Sequence, residues 1–324
     1  MNTRVKQILL GLLIFGCITG ILLAVIHIVL SERESELDNP YTYDISALED
    51  TAAIPELYTE TAQIWPGLSN LTSIAIGPDD LVYVTASGWV QVYDRTGMLK
   101  RTWPLDGTPE CSAVGPDGTV YLGMLTHVEA YNPDGTLKHV WPELEGEAHI
   151  TAIAIEGTNS FIADYGSRKI VRCDMSGRPT GIIGAKDAER DIPGFVIPSP
   201  YFDCIPAGDG TIWAVNPGRH LLQNFTPEGD LRSSWGSASM GIDGFCGCCN
   251  PTYIALLSDG SFVTSEKGLV RVKVYKADGE FAGLVAGSDM FDEGTTGLDL
   301  AVDSTDRIYV LDPYRGSVRI FERK

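Results

Sequence analysis

The sequence predicts an all-β fold, a six-bladed β-propeller that is closed by its N-terminal strand and preceded by one transmembrane α-helix. Three observations support this prediction: an uncharged apolar stretch at residues 8–30, internal self-similarity at a spacing of about 40 residues, and short alternating apolar runs separated by Gly-Pro-Asp-Gly turns. The chain has 324 residues, of which 44% are hydrophobic and 21% are charged. This composition is typical of a globular protein and excludes a largely disordered chain.

The apolar stretch at residues 8–30 is long enough to cross a membrane as one helix. At about 1.5 Å per residue it would reach roughly 34 Å, against about 30 Å for the hydrocarbon core of a bilayer. Arg4 and Lys6 precede it, so the N-terminus is expected in the cytoplasm and the remainder on the periplasmic or extracellular side. A cleaved signal peptide is the alternative, but the apolar run exceeds the usual length of about 7–15 residues and lacks an A-x-A-like site.

The expected domains are therefore a cytoplasmic stub (1–7), a transmembrane helix (8–30), an acidic spacer (31–56) and the propeller (57–324). The chain contains 43 acidic and 24 basic residues. Because Arg4 and Lys6 are the only charged residues ahead of the span, the part beyond it carries a formal charge of −21. This acidity disfavours nucleic acids and anionic bilayer surfaces as partners.

Six repeated units can be followed through the propeller region. Residues 73–103 align with residues 112–141, and the glycine in the second turn of successive units recurs at spacings of 38, 42, 52 and 50 residues. Four short strands in each unit are typical of a propeller blade. The sixth unit lacks an outer strand, and residues 57–67, which resemble the outer strands of the first two units, are expected to supply it and close the ring. The inner strands are expected to begin near Leu71, Cys111, Ile150, Tyr201, Tyr253 and Leu298.

One position on the third strand of every unit carries a residue that is expected to pack between neighbouring blades. A cysteine occupies this position in the third unit and is interpreted as a small buried hydrophobe. The six residues are Tyr93, Tyr131, Cys173, Phe225, Tyr275 and Phe321.

These repeats resemble those of the NHL-repeat family of β-propellers. The best matches are residues 75–84, 115–122 and 301–310, where an apolar strand, a Gly-Asp turn and an apolar-Tyr-apolar strand follow one another. The loop Asp and Arg of the family are similar to Asp164 with Arg168 and to Asp312 with Arg315, whereas the first two units lack this pair. The resemblance covers residues 57–324 and implies a six-bladed propeller, which together with the span at residues 8–30 would be a membrane-anchored member, but it says almost nothing about function.

Two long loops mark the face of the propeller on which function is expected. They are residues 185–200, before the fourth inner strand, and residues 236–251, before the fifth. The second loop contains Cys246, Cys248 and Cys249. Thiolates spaced as in the C-x-x-C pair of this loop can share one soft metal ion or an iron–sulfur cluster.

A fourth ligand would have to come from another part of the chain. Cys204, on the adjacent inner strand, is the best candidate, and Cys111 is the alternative. The predicted metal set is therefore Cys204 with the three loop cysteines at 246, 248 and 249. A disulfide is the competing interpretation, because the six cysteines beyond the span are an even number in an oxidising compartment. Free or redox-active thiols are the third.

Other polar residues are predicted near the channel. His127, His149 and His220 fall in loops of the same face, where some NHL-like enzymes, the peptidyl-hydroxyglycine lyases, hold zinc with histidines. The flanking residues do not match that pattern, so no role is carried over, and solvated loop histidines are the alternative. Lactonase-like propellers use carboxylates near the axis, where Asp203, Asp299, Asp312 and Arg315 are expected here.

The sequence favours an extracytoplasmic scaffold or protein-interaction subunit of a membrane complex, whose partners would be the other subunits. A metal or iron–sulfur centre at the cysteine loop would add electron transfer. The alternative is a metal-dependent lyase or hydrolase that acts on a small molecule at the channel. The chain contains no Ser-His-Asp ordering, nucleophile elbow or phosphate-binding Gly-rich loop, and the sequence does not decide whether the protein is an enzyme.

Overall fold

The computed structural model describes residues 4, 15–23 and 54–324. The chain divides into two units, Met1–Ala47 and Leu48–Lys324. Residues 15–23 are helical, whereas the rest of the predicted span 8–30, most of the predicted stub and residues 31–53 of the spacer lie outside the described residues. Within the described part, no helix has both the length and the apolar character that a membrane crossing requires. The membrane anchor therefore stays a prediction.

Residues 54–324 form six antiparallel four-stranded sheets, and in five of them the four strands follow one another in chain order. The blades are β2 (Leu71–Ile76), β3 (Val82–Ala86), β4 (Trp89–Tyr93) and β5 (Leu99–Pro104); β6 (Cys111–Val114), β7 (Val120–Met124), β8 (His127–Tyr131) and β9 (Leu137–Val140); β10 (Ile150–Glu156), β11 (Asn159–Asp164), β12 (Lys169–Asp174) and β13 (Pro179–Ile183); β14 (Cys204–Pro206), β15 (Ile212–Asn216), β16 (Leu221–Phe225) and β17 (Leu231–Trp235); β18 (Tyr253–Leu256), β19 (Phe262–Glu266), β20 (Arg271–Tyr275) and β21 (Phe281–Ala286); and β22 (Asp299–Val302), β23 (Ile308–Asp312) and β24 (Ser317–Arg323), completed by β1 (Tyr58–Ile64).

The six sheets form a ring. Each inner strand contacts the inner strand of the next blade, and β22 of the sixth blade contacts β2 of the first. The predicted six-bladed propeller is therefore confirmed. The inner strand of the fourth blade begins at Cys204 instead of near Tyr201, because residues up to Asp203 belong to the long preceding loop.

The core lies between the blades. The second strands are buried on both faces and consist largely of β-branched and aromatic residues, for example VYVTA in β3 and IYVLD in β23. The six predicted stripe residues are all buried, and each is paired with the first or second residue of the second strand in its blade. The turn glycine Gly135 has φ +87° and lies against the indole of Trp103, where a Cβ would come within 2.6 Å of the ring. A glycine is therefore required where one blade packs on the next.

The N-terminal strand closes the ring, as the sequence predicts. β1 pairs antiparallel with β24, from Tyr58 opposite Arg323 to Ile64 opposite Val318. Arg319 is buried and donates hydrogen bonds from two guanidinium nitrogens to both carboxylate oxygens of Glu60. Its third nitrogen donates to the Met290 carbonyl at 2.7 Å. Residues 259 positions apart in the chain are thereby joined by a bidentate ion pair.

Replacing Glu60 by alanine is expected to destabilise the propeller by about 3 kcal/mol, because the Arg319 charge would remain buried without its carboxylate. Urea denaturation of the purified chain measures the change. Glu56→Ala is the matched control, because Glu56 forms a solvent-exposed pair with Lys324 beside the same seam, and its loss should cost less than about 1 kcal/mol. Equal effects of the two substitutions would show that the buried pair does not support ring closure.

Candidate functional site

The inner strands surround a channel along the propeller axis. We call the end at which these strands begin the top face and the other end the bottom face. A cavity of about 280 Å³ lies at the top, a constriction of about 80 Å³ lies below it, and a largely apolar cavity of about 310 Å³ opens at the bottom. The top cavity combines aromatic and polar groups, as ligand sites do. One lining residue from each blade is Thr72, Glu110, His149, Tyr201, Tyr253 and Thr296.

Two aspartates line the constriction. Asp203 Oδ2 accepts a hydrogen bond from the Ile254 amide at 2.8 Å, and Asp299 Oδ2 accepts one from the Ile74 amide at 2.9 Å. Each carboxyl therefore joins its own inner strand to that of the next blade. Burial raises the pKa of Asp299 to about 6, and burial together with the nearby charge of Asp299 raises the pKa of Asp203 well above its ordinary value. Both carboxyl groups therefore take up a proton at a higher pH than an ordinary aspartate does, and a protonated carboxyl can donate as well as accept hydrogen bonds.

Aromatic residues and a histidine form the rim of the top cavity. The rings of Tyr201 and Tyr253 meet edge to face with centroids 6.0 Å apart, and those of His149 and Tyr165 meet in the same way at 5.4 Å. The His149 amide donates to Asp164 Oδ1 at 2.9 Å. Asp164, the loop aspartate that resembles the family pattern, therefore fixes the backbone that carries His149.

The loop at residues 236–251 is held in place by buried charges. The side chains of Glu266, Arg271 and Lys273 are at most 1% exposed, and the Glu266 carboxylate lies 2.8 Å from the Arg271 guanidinium and 3.2 Å from the Lys273 ammonium. Lys273 Nζ also donates to the Gly244 carbonyl at 2.6 Å and stands over the Phe245 ring. Burial lowers the pKa of Lys273 to about 8, and Glu266 opposes this shift. We call these three side chains the loop anchor.

The loop cysteines have different surroundings. Cys246 is half-buried beside the loop anchor, where its amide donates to Glu266 Oε1 at 3.3 Å and its sulfur lies 3.7 Å from an Arg271 nitrogen. Cys248 is exposed and Cys249 is buried, and their sulfur atoms are 3.2 Å apart. All seven cysteines of the chain are free thiols, so the disulfide expected from their even number is absent from this structure.

Cys249 lies next to the rim of the top cavity. Burial works to raise the pKa of its thiol, but hydrogen bonds with Ser199 and Cys248 and the charge of Lys267 together lower that pKa. Lys267 Nζ donates to the Ser199 hydroxyl at 3.0 Å and stands 4.7 Å from the centre of the Tyr201 ring. The cysteine loop therefore lies on the top face and touches the rim of the channel.

The predicted four-cysteine set is divided between two places. Cys204 is buried in the channel wall, and its sulfur lies 3.7 Å from the Phe161 carbonyl oxygen of the third blade. Burial raises the pKa of both Cys204 and Cys111, which is typical of unreactive structural thiols. Among residues 54–324 and the described helix, no three His, Cys, Asp or Glu side chains are grouped so that they could hold a metal ion. The metal centre stays a prediction, and this arrangement does not support it.

The other predicted polar residues are only partly at the channel. Of the three histidines, His149 lines the top cavity, whereas His127 lies 3.5 Å from Glu129 on the third strand of its blade. His220 contacts the Asn250 carbonyl oxygen at 3.3 Å, beside the cysteine loop.

Asp203 and Asp299 line the channel as predicted, but Asp312 and Arg315 do not. Asp312 accepts a hydrogen bond from the Arg315 amide, and the Arg315 guanidinium pairs with Asp292 at 2.6 Å. The family resemblance correctly predicted Asp312 and Arg315 in one loop. Their side chains, however, bond within that loop and to Asp292 and do not line the channel.

Sequence reasoning missed Glu110, Lys267, Tyr201 as a rim residue, and the whole loop anchor. The sequence of β20, RVKVY, contained a signal for the anchor. Arg271 and Lys273 are two residues apart, so they lie on the same face of a strand that is buried on both faces. Charged side chains at such positions require a buried partner.

Comparison with known proteins shows the fold. Neither a protein-family model nor a curated sequence matches the chain. Among solved structures, a catalytically inactive histidine-to-alanine variant of virginiamycin B lyase from Staphylococcus aureus, determined with quinupristin, has a TM-score of 0.56 and 13% identity, covering 78% of this chain and 80% of that one. A streptogramin B lyase has a TM-score of 0.59 and 10% identity, covering 83% and 98%. The WD40 β-propeller domain of Doa1 has a TM-score of 0.55 and 13% identity, covering 78% and 79%. At these identities the similarity shows that this chain has a β-propeller fold.

Proposed function

We propose that the chain is a protein-interaction module whose top face binds other subunits of a membrane complex, with residues 8–30 as its anchor and the propeller outside the cytoplasm. The observation that carries this proposal is the distribution of exposed large hydrophobic side chains. In the propeller, eleven such side chains are exposed, and six of them lie at the top ends of strands or in top-face loops. These six are Trp65, Trp89, Leu125, Val196, Met240 and Tyr314.

Acidic side chains lie between these hydrophobic positions. The loops before the second and third inner strands expose five carboxylates at the top face, which fits the excess negative charge of this part of the chain. A partner that combines apolar contacts with basic side chains would complement this surface. The five are Asp106, Glu110, Glu143, Glu145 and Glu147.

The two long loops of the top face are ordered before any partner binds. In the first loop, Asn216 Oδ1 accepts a hydrogen bond from the Val196 amide at 2.9 Å, while Phe195 is buried in the core. The second loop is held by the loop anchor described above. A preordered surface loses less conformational entropy on binding, which favours affinity.

A second candidate function is catalysis in the channel by a lyase or hydrolase. The specific support is that His149 lines the top cavity while two carboxyl groups of raised pKa line the constriction below it, since groups of this kind act as general acids and bases. Two of the similar structures are lyases, one of which is inactive when a histidine is replaced by alanine. The interaction function remains the main proposal because the hydrophobic side chains extend around the whole top face and well beyond the cavity.

Replacing three top-face side chains together, Trp65→Ser, Leu125→Ser and Tyr314→Ser, is expected to reduce the yield of co-purifying membrane subunits at least about tenfold. A few residues, most often Trp, Tyr and Arg, contribute most of the binding energy at interfaces, and here Trp65, Leu125 and Tyr314 are 62%, 51% and 61% exposed. Affinity purification of the full chain from solubilised membranes, followed by quantitative mass spectrometry, measures the loss.

The matched control removes three equally exposed hydrophobic side chains from the bottom ends of outer strands, Met98→Ser, Leu99→Ser and Leu137→Ser. This variant should retain the same subunits as the wild type. Equal losses from both variants, or a wild-type chain that purifies without any membrane subunit, would contradict the proposed function.

The channel carboxyl groups make a separate prediction about pH. Because the pKa of Asp299 is raised on folding to about 6, the folded chain binds more protons than the unfolded chain between about pH 4 and pH 6. Wild-type stability relative to Asp299→Asn should therefore fall as pH rises through this window, by on the order of 2–3 kcal/mol. Urea denaturation at several pH values measures this difference.

Asp94→Asn is the control of opposite sign. Hydrogen bonds from Thr96 and Met98 lower the pKa of the exposed Asp94 to about 2, so its contribution is lost as pH falls from about 4 to about 2 and stays nearly constant where the contribution of Asp299 changes. If Asp299→Asn and wild type keep a constant difference between pH 4 and pH 7, the channel carboxyl is not perturbed and the second candidate function loses its support.

A further inference from the structure

We propose that Cys248 and Cys249 form a thiol–disulfide exchange site on the top face, which a disulfide oxidant converts reversibly into a bond between these two adjacent cysteines. The proposal goes beyond the interaction function and does not depend on it. Its basis is the position of the two sulfur atoms, which lie 3.2 Å apart in the free-thiol state. At this distance one sulfur can attack the other and displace a leaving group bound to it.

The two cysteines have complementary accessibility. Cys248 is exposed, whereas only 2% of Cys249 is exposed. An external disulfide can therefore reach Cys248 but not Cys249. Ser199 and Lys267 lie beside Cys249, and Lys267 is itself held by the Ser199 hydroxyl. Cys248 is thus placed to capture the oxidant, and Cys249 is placed to resolve the mixed disulfide.

The reaction balances with a low-molecular-weight or protein disulfide as the oxidant. The Cys248 thiolate attacks one sulfur of the oxidant, forming a mixed disulfide and releasing one thiol. The Cys249 sulfur then attacks the sulfur of Cys248, which forms the Cys248–Cys249 bond and releases the second thiol. Two electrons pass from the cysteine pair to the oxidant, and the two thiol protons leave on the released thiols.

Cys246 is excluded from this pair by its anchoring. Its sulfur faces the Arg271 guanidinium at 3.7 Å, and its carbonyl accepts a hydrogen bond from Asn250 Nδ2 at 2.6 Å. The same Asn250 side chain binds the backbone of Lys267 through both its oxygen and its nitrogen. These contacts hold Cys246 toward the loop anchor, so the C-x-x-C spacing that the sequence presents is not the pairing that the structure favours.

A bond between adjacent cysteines is expected to be labile. The Cα atoms of neighbouring residues are about 3.8 Å apart across a trans peptide, whereas ordinary disulfides join Cα atoms about 4.4–6.8 Å apart. The resulting strain makes such a bond easier to reduce than a structural disulfide. The chemistry therefore points to reversible exchange and not to a permanent crosslink.

The test begins with the reduced full chain in detergent, equilibrated with glutathione buffers of increasing oxidised fraction, quenched with acid and alkylated after denaturation. In oxidising buffer the wild type is expected to lose the mass of two hydrogens, with residues 248 and 249 protected from alkylation and residue 246 alkylated. Dithiothreitol added to the native protein should restore both thiols. Because this mapping uses the wild-type chain, it needs no variant to fold.

Two variants separate the roles of the cysteines. Cys249→Ser should accumulate one glutathione on Cys248, at a level about tenfold above the wild type, because no resolving sulfur remains. Cys246→Ser is the matched control and should behave as the wild type. A crosslink that includes Cys246, or a wild-type chain that keeps glutathione on Cys248 while Cys249 stays free, would overturn the proposal.

Discussion

Closure of the ring is the constraint on which the rest of the structure depends. Each blade is a separately hydrogen-bonded sheet, and the top cavity takes at least one residue from every blade, so the site exists only when six sheets surround one axis. The seam between the ends of the chain is held in two layers. At the periphery β1 pairs with β24 through Glu60 and Arg319, and at the axis Asp299 accepts the Ile74 amide of the first blade. The channel carboxyl thus stabilises the ring and forms part of the candidate site.

The loops of the two faces differ in length and in the contacts that fix them. Bottom-face turns are short and repeat the same chemistry, in which an aspartate such as Asp134 accepts the amide two residues later and a glycine such as Gly135 follows at positive φ. Top-face loops vary in length, and one of the two long loops is fixed by three buried charges. Taking Glu266, Arg271 and Lys273 out of water is costly, and their mutual pairing offsets much of that cost. The chain therefore uses uniform turns for architecture and a costly ionic cluster to position one loop.

The sequence predicts the fold more completely than the site. Repeat spacing, strand alternation and the stripe of core residues depend on local chemistry, and they correctly predict six blades and closure by β1. Asp203, Asp299 and His149 were also predicted, because their distance from an inner strand start fixes their depth in the channel. The start of β14 was placed three residues too early because Phe202 and Tyr201 continue the apolar pattern while belonging to the loop. The anchor at Glu266 was missed, because which charges meet inside a blade is decided by tertiary packing.

The cysteine loop shows why a motif needs its surroundings before it indicates a chemistry. Three thiols within four positions fit a shared metal ion if the loop turns all of them inward. In this structure the sulfur of Cys246 lies beside Arg271 of the loop anchor. The Asn250 side chain binds the Lys267 backbone and thereby holds Cys248 and Cys249 at the rim. The motif is therefore divided into one anchored sulfur and one adjacent pair, and the pair touches Lys267, which stands over the cavity-lining Tyr201. The contacts that fix the loop on the top face also determine which two sulfurs can react with each other.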